Sequence, residues 1–256
     1  MTGRDDTPAE PIKVPGKEAL KPPLPKRFYK DVTVEPRDGG FAVLLDGKPV
    51  KTPKKVALAV PTRALADAIA EEWAAQGTHI DPATMPLSKL AITALDGVAA
   101  NKSEVAADIV KFAGSDLLCY RAKSPDALQR LQAEVWDPVL RWMEAQIGAR
   151  FVLAEGLMPV EQNQAVRDGI AAEVAPYDAM ALAGLHVMTT LMGSAVLALV
   201  HAKGKLSAED AWAAAHLDED WQISQWGVDV EAAERRAKRL GEMQAASRFL
   251  KLLAAS

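Results

Sequence analysis

The chain has 256 residues, a net charge of −4, 49% hydrophobic residues and a single cysteine. That length allows one large domain or two small ones, and the apolar content is that of an ordinary globular core. A nucleic-acid protein would carry a basic domain or stripe, which is lacking, and one cysteine, Cys119, excludes an internal disulfide and cysteine-based metal clusters and suits a reducing compartment.

Residues 1–26 lack an apolar core, hold six prolines and mix Asp5, Asp6, Glu10 and Glu18 with scattered lysines. Neither a secretory signal nor an Arg-rich, acid-poor transit peptide has that composition, so a disordered or extended tail is expected. Strand signals follow at 28–36, 41–45, 49–52 and 56–60, separated by Asp38-Gly39-Gly40, Asp46-Gly47 and Pro53–Lys55. Short strands with tight turns predict a four-stranded antiparallel meander, covered on one face. The cover is expected from Thr62 onward, where Leu65, Ile69 and Trp73 recur every four residues until Gly77. Trp73 reads as a core anchor. Helices over 87–100 and 103–113 come next, then a short apolar run, 116–122, that reads as a further strand.

From residue 123 the pattern is helical. Ser124 is the expected cap of a helix with Pro125 in its first position and a kink at Pro138. Helices are expected over 161–174, 178–202, 208–226 and 231–253. Met180–Val200 is a run of 21 residues without a charge. It is long enough to span a bilayer, but Gly184, His186, Thr189, Thr190, Gly193 and Ser194 dilute it, so a buried central helix is the expectation. The fold class is therefore α+β: a small antiparallel β-rich unit over 27–122, followed by a mostly α-helical unit over 123–256.

The segment Trp212–Asp229 holds an anomaly. Three consecutive acids, Asp218, Glu219 and Asp220, sit among Trp212, Trp221 and Trp226. On a helix advancing about 100° per residue, Glu219 shares a face with Trp212, Ala215, Ile223 and Trp226. Leu217 and Trp221 form a second apolar face, with Asp218 and Asp220 at the flanks. A carboxylate on an apolar face needs a partner. Two readings follow: an internal salt bridge to Arg235, Arg236 or Arg239 on the next helix, or a docking surface for another protein.

Catalytic constellations are lacking. Gly47-Lys48 and Gly204-Lys205 are not part of a phosphate loop, and neither a dinucleotide fingerprint nor a nucleophile elbow occurs. Cys119, in an apolar run, reads as structural. His79, His186, His201 and His216 never form a ligand pair at helical spacing, and His186 reads as a satisfied core histidine. No metal and no cofactor are expected.

Several blocks carry a resemblance: F-x-V-x-L-D-G-K-P-V-K-T-P over 41–53, V-P-T over 60–62, Glu71-Glu72-Trp73 with Gln76, M-P-L-S-K-L-A over 85–91, W-D-P-V-L-x-W over 136–142, and the acidic patch followed by W-Q-I-x-x-W-G over 221–227. In this order they resemble the F1-ATPase assembly-chaperone family that attends the alpha subunit of ATP synthase. The resemblance covers about residues 27–253 and leaves the tail unmatched. The family's mitochondrial targeting segment is absent, which implies a bacterial, cytoplasmic member; eukaryotic relatives would act in the mitochondrial matrix. The triplet departs from the family's Glu-rich form, and the family's functional glutamate is placed at Glu219.

The resemblance implies a non-catalytic, monomeric chaperone that binds the unassembled alpha subunit and releases it to the beta subunit, with no nucleic acid and no stable membrane insertion. Its partner-binding set is expected to be Glu219, Asp218, Asp220, Gln222 and Trp226, with Trp221 and Trp226 supporting the acids. The alternative is a small-molecule enzyme using Glu219 as general acid or base.

Overall fold

The computed structural model describes residues 23–37, 39–156 and 161–255. Most of the expected tail, residues 1–22, lies outside the described residues, as does Asp38 of the first turn. The end of the tail is tied down: Lys26 bridges to His79, and the Ile80 amide donates to the Pro25 carbonyl at 2.8 Å.

Strand β1 (Val32–Arg37) pairs antiparallel with β2 (Gly40–Leu45). The Asp46-Gly47 turn has positive φ at both residues, 48° and 77°, which matches the twist of a tight hairpin. The Asp46 carboxylate accepts from the Lys30 and Asp31 amides at 3.0 and 2.8 Å, and these bonds, chiefly that from Asp31, hold its pKa below the usual range. The expected four-stranded meander is corrected here. Strands β3 (Lys48–Pro49) and β4 (Ala59–Val60) lie end to end along the same edge of β2. A two-residue β3 leaves the far half of β2 with unpaired backbone groups, and β4 satisfies them. Residues 50–58 loop out between the two, held by Val50 N–H to Val43 O and Leu58 N–H to Val50 O. Gly40 is required where β4 arrives, because a Cβ there would lie 2.1 Å from the Val60 carbonyl oxygen.

Helix α1 (Arg63–Ala74), capped by Thr62, buries Leu65, Ala66, Ala68 and Ile69 against β1 and β2. Trp73 packs half-buried, edge-on to Tyr29. Helix α2 (Pro86–Thr93) continues through a π-helical turn at Ala94–Val98, and α3 (Lys102–Gly114) follows. Several of the blocks quoted above are explained by local hydrogen bonding. Glu72 receives the first amides of α2, from Leu87 and Ser88, at 2.7 and 2.8 Å. Gln76 holds the Asp81 amide and the Thr84 hydroxyl. Thr52 donates to Asp96 at 2.6 Å.

The run 116–122 is only partly a strand: Leu117–Cys119 is a single 3-10 turn, and β5 (Tyr120–Arg121) pairs in parallel with β6 (Ala154–Glu155). Helix α4 (Asp126–Ile147) runs unbroken through Pro138. Its cap differs from expectation. Pro125, with extended backbone, occupies the N-cap without a side-chain bond, so Ser124 lies outside the helix. Helix α5 (Gln164–Val174) begins three residues later than expected, because Asn163 caps it.

Two expected helices are each divided. The 178–202 segment is α6 (Ala179–Met192) and α7 (Ala195–Ala202). Gly193 ends the first in the left-handed conformation and Ser194 caps the second. Both are largely buried, and no helix among the described residues is long and apolar enough to cross a membrane. The 208–226 segment is α8 (Ala208–Ala215) and α9 (Leu217–Trp226), broken at His216. Here the cause is tertiary. The buried Trp136 indole donates to the Ala214 carbonyl at 2.8 Å, which a continuous helix would offer to the Asp218 amide. The final helix, α10 (Val230–Leu253), packs on α6, α2, α8 and α1. One apolar core connects the sheet, α1–α3 and the later helices.

Candidate partner-binding site

Helix α9 has one buried residue, Leu217, at its start. His216 precedes it with its ring against Trp212, centroids 3.8 Å apart, and Nδ1 2.9 Å from the Trp212 carbonyl. Burial lowers the His216 pKa and favours the neutral ring. After Trp226, Gly227 turns the chain with φ +87°, and Asp229 caps α10 by accepting from the Glu231 and Ala232 amides. The two helices enclose an open groove lined by Trp212, Glu219, Gln222, Ile223 and Trp226 on one wall and by Ala233, Arg236, Ala237 and Leu240 on the other.

The three acids have different fates. Gln132, fully buried on α4, donates to Asp218 Oδ1 at 2.7 Å while its own carbonyl accepts the Ala122 amide at 2.8 Å. Asp220 forms a two-point ion pair with Arg236, one contact at 2.9 Å. That hydrogen-bonded pair raises the guanidinium pKa. Glu219 makes no hydrogen bond or ion pair among the described residues and is half-buried in the groove. Of the two readings of Glu219, the internal salt bridge is not found among the described residues: Arg235 pairs with Glu231, Arg236 with Asp220, and Arg239 donates to the Leu191 carbonyl.

Gln222 is exposed on the groove wall. Trp221 is half-buried over a second groove formed with Leu131, Val135, Val139, Leu206 and Leu217, as the two-faced pattern of the sequence implied. Trp226 is not a support. It is 88% exposed, beside Val228 at 63% and Val230 at 72%. Sequence reasoning missed Gln132, Trp136 and the two valines. The available signals were a polar residue four positions from both Leu128 and Trp136 on an apolar helix face, and two valines on either side of Asp229 just after Gly227.

Gln132→Leu is expected to lower stability by about 1–3 kcal/mol, because it leaves the Ala122 amide without an acceptor and Asp218 without its donor. Urea unfolding measures the loss, and an unchanged midpoint would contradict the bridging role.

Elsewhere, Cys119 is buried with its thiol pKa raised, mainly by desolvation, and His186 lies 2.8 Å from Asp108. The cysteine suits a structural role; His186, expected in the core, is instead only half-buried, with its partner more exposed than itself. No cluster of three His, Cys, Asp or Glu side chains among the described residues is arranged to hold a metal.

Comparison with known proteins places this architecture. Residues 26–144 match the family model of the ATP12 chaperone protein, a segment that ends in α4. The mitochondrial protein atp12 of Schizosaccharomyces pombe is 24% identical over 244 residues, covering 89% of this chain and 84% of its own. The crystal structure of the Atu1473 protein from Agrobacterium tumefaciens superposes with a TM-score of 0.87 at 52% identity, over 91% of this chain and 88% of that one. Atp12 from Paracoccus denitrificans superposes with a TM-score of 0.85 at 42% identity, over 90% of this chain and 98% of its own. Likeness of that extent, with identities of 42–52% over about nine-tenths of the chain, means that this chain belongs to the ATP12 chaperone family.

Proposed function

We propose that this chain is an assembly chaperone for the F1 sector of ATP synthase in a bacterial cytoplasm, a monomer that binds the unassembled alpha subunit through the α9–α10 groove and yields it to the beta subunit. The observation that carries the reading is Glu219, a carboxylate left unpaired in an apolar groove beside an exposed tryptophan. Subunits of an obligate ring expose interfaces of about 2,000 Å² or more before they assemble, and such surfaces aggregate unless covered. A cover that must later leave gains from contacts giving orientation and selectivity more than raw affinity, and a single half-buried charge is such a contact. Gln222, Asp218 and Asp220 would surround it, and Trp226 with Val228 and Val230 would supply the apolar contact.

Glu219→Gln keeps the shape and removes the charge. Because Glu219 is partly solvated, the expected loss is about 1–2 kcal/mol, or roughly 5–30-fold weaker capture of an isolated alpha subunit, with the thermal midpoint unchanged. Full capture by the folded variant would end the proposal.

A further inference from the structure

Of the three acids, only Glu219 faces the groove unpaired, and the ion pair on its neighbour bears on that freedom. We infer that Asp220 and Arg236 are positioning residues that hold α9 in place and keep the Glu219 charge unspent, and that Asp220 is not itself a contact of the alpha subunit; this rests on the function proposed above.

Helix α9 is ten residues long, too short to be stable on its own in water. Only Leu217, at its first residue, is fully buried, and Trp221 packs half-buried one turn later. Two polar ties clamp the first turn from either side. Gln132 holds Asp218 from the α4 side, and Arg236 grips Asp220 from the α10 side. Glu219 stands between the two tied acids. The Arg236 side chain is 20% exposed and that of Asp220 is 49% exposed, so the guanidinium is the more enclosed member of the pair. An isolated exposed pair adds little to global stability. A bidentate one still fixes geometry, because the planar fork matches a carboxylate in a single arrangement.

Arg236 also lines the groove that holds Glu219, and the two charges already sense each other. Without Asp220, the guanidinium would be released toward the only other carboxylate near it on α9. The ion pair thus does two things: it anchors the helix, and it withholds a cation that would otherwise neutralise the docking charge.

The test is a double-mutant cycle with an isolated alpha subunit as the probe, run beside Glu219→Gln. Asp220→Asn and Arg236→Gln are each expected to weaken capture about fivefold to tenfold, while the thermal midpoint moves by only a few degrees. The double variant is expected to be no worse than the weaker single one, because both substitutions remove the same tie. Arg236→Lys, which keeps the charge but loses the planar fork, is expected to lose part of the capture, by less than Arg236→Gln does. Hydrogen exchange read without any client should show faster exchange of the α9 amides in both single variants.

If Asp220 instead touched the client, Arg236→Gln would free it, and capture would stay level or improve. That result overturns the inference, as do additive losses in the double variant or an Arg236→Lys loss equal to that of Arg236→Gln. Failure of the underlying function is separate: it appears as full capture by Glu219→Gln, whereas the exchange of the α9 amides reports on the tie with no client present.

Discussion

Asp116→Ala is expected to cost about 3 kcal/mol of folding stability, although the residue lies far from the proposed client face in sequence and is invisible from the surface. Asp116 is fully buried. Its Oδ1 accepts from the Leu118 amide at 3.1 Å and its Oδ2 from the Val196 amide at 3.0 Å, and the Ser194 hydroxyl and Ala195 amide also turn toward it. One carboxylate therefore serves both the turn at Leu117–Cys119 and the first turn of α7, and the Leu117 amide adds a bond to the Gly193 carbonyl. Alanine would orphan at least two buried amides at about 1–3 kcal/mol each, offset in part by removal of a buried charge. Asparagine offers a single accepting oxygen and turns N–H donors toward the other amides, so it should restore little of the loss. Urea unfolding measures both, and a loss below about 1 kcal/mol for alanine would refute the capping role.

The same residue gives a pH signature whose sign can be worked out. Burial raises the Asp116 pKa to about 6, against hydrogen bonds that work in the opposite direction. Between the ordinary value of 3.8 and about 6 the folded chain holds a proton that the unfolded chain has released. The stability contributed by this group is therefore fully present below about pH 4, is lost as pH rises toward 6, and is flat above that. Across that window the loss amounts to about 3 kcal/mol. The gap in stability between the natural protein and Asp116→Asn should accordingly widen as pH is lowered from 7 to 4.

Parts of this architecture are readable in the sequence because their causes are local. Asp46-Gly47 dictates its hairpin, Thr62 caps α1, and the apolar spacing of α1 and α4 gives their buried faces. The joints are not readable, because their causes lie elsewhere in the chain. His216 interrupts a good helical pattern because Trp136, 78 residues away from Ala214, takes the carbonyl that the helix needs. Helical spacing still puts Glu219 with Trp212, Ile223 and Trp226 although it runs through that break; only Ala215 drops out of the groove. What periodicity does not supply is the partner of each acid. Asp218 is met by Gln132, 86 residues distant, and Asp220 by one of three neighbouring arginines with equivalent claims on helical spacing. The β3–β4 arrangement is hidden for a similar reason: which strand edge β4 joins depends on the length of β3, and periodicity does not report it.

Trp226→Ala is expected to weaken capture of the alpha subunit by about 30-fold or more while leaving folding stability within about 0.5 kcal/mol, if the α9–α10 groove is the client face. At 88% exposure the indole buries little against its own protein, so removing it forfeits almost no packing. On a partner the balance reverses. An indole offers a large rigid apolar surface at the cost of only two side-chain torsions, which is why tryptophan dominates interface hot spots, at about 2–4 kcal/mol on truncation. Its position strengthens the argument. Trp226 ends α9 at the Gly227 turn, with Val228 and Val230 exposed just beyond and Glu219 two helical turns behind it on the same groove wall. On the proposed client, an apolar anchor at the rim and a charge farther in would form a two-point contact, the indole supplying affinity and the carboxylate selection. Loss of Trp226 should therefore show mainly as faster dissociation, and loss of the Glu219 charge as slower association that depends on salt. Stopped-flow association and dissociation rates with the isolated alpha subunit would separate the two. A Trp226→Ala variant that releases the subunit no faster than the natural protein would move the client face away from this groove.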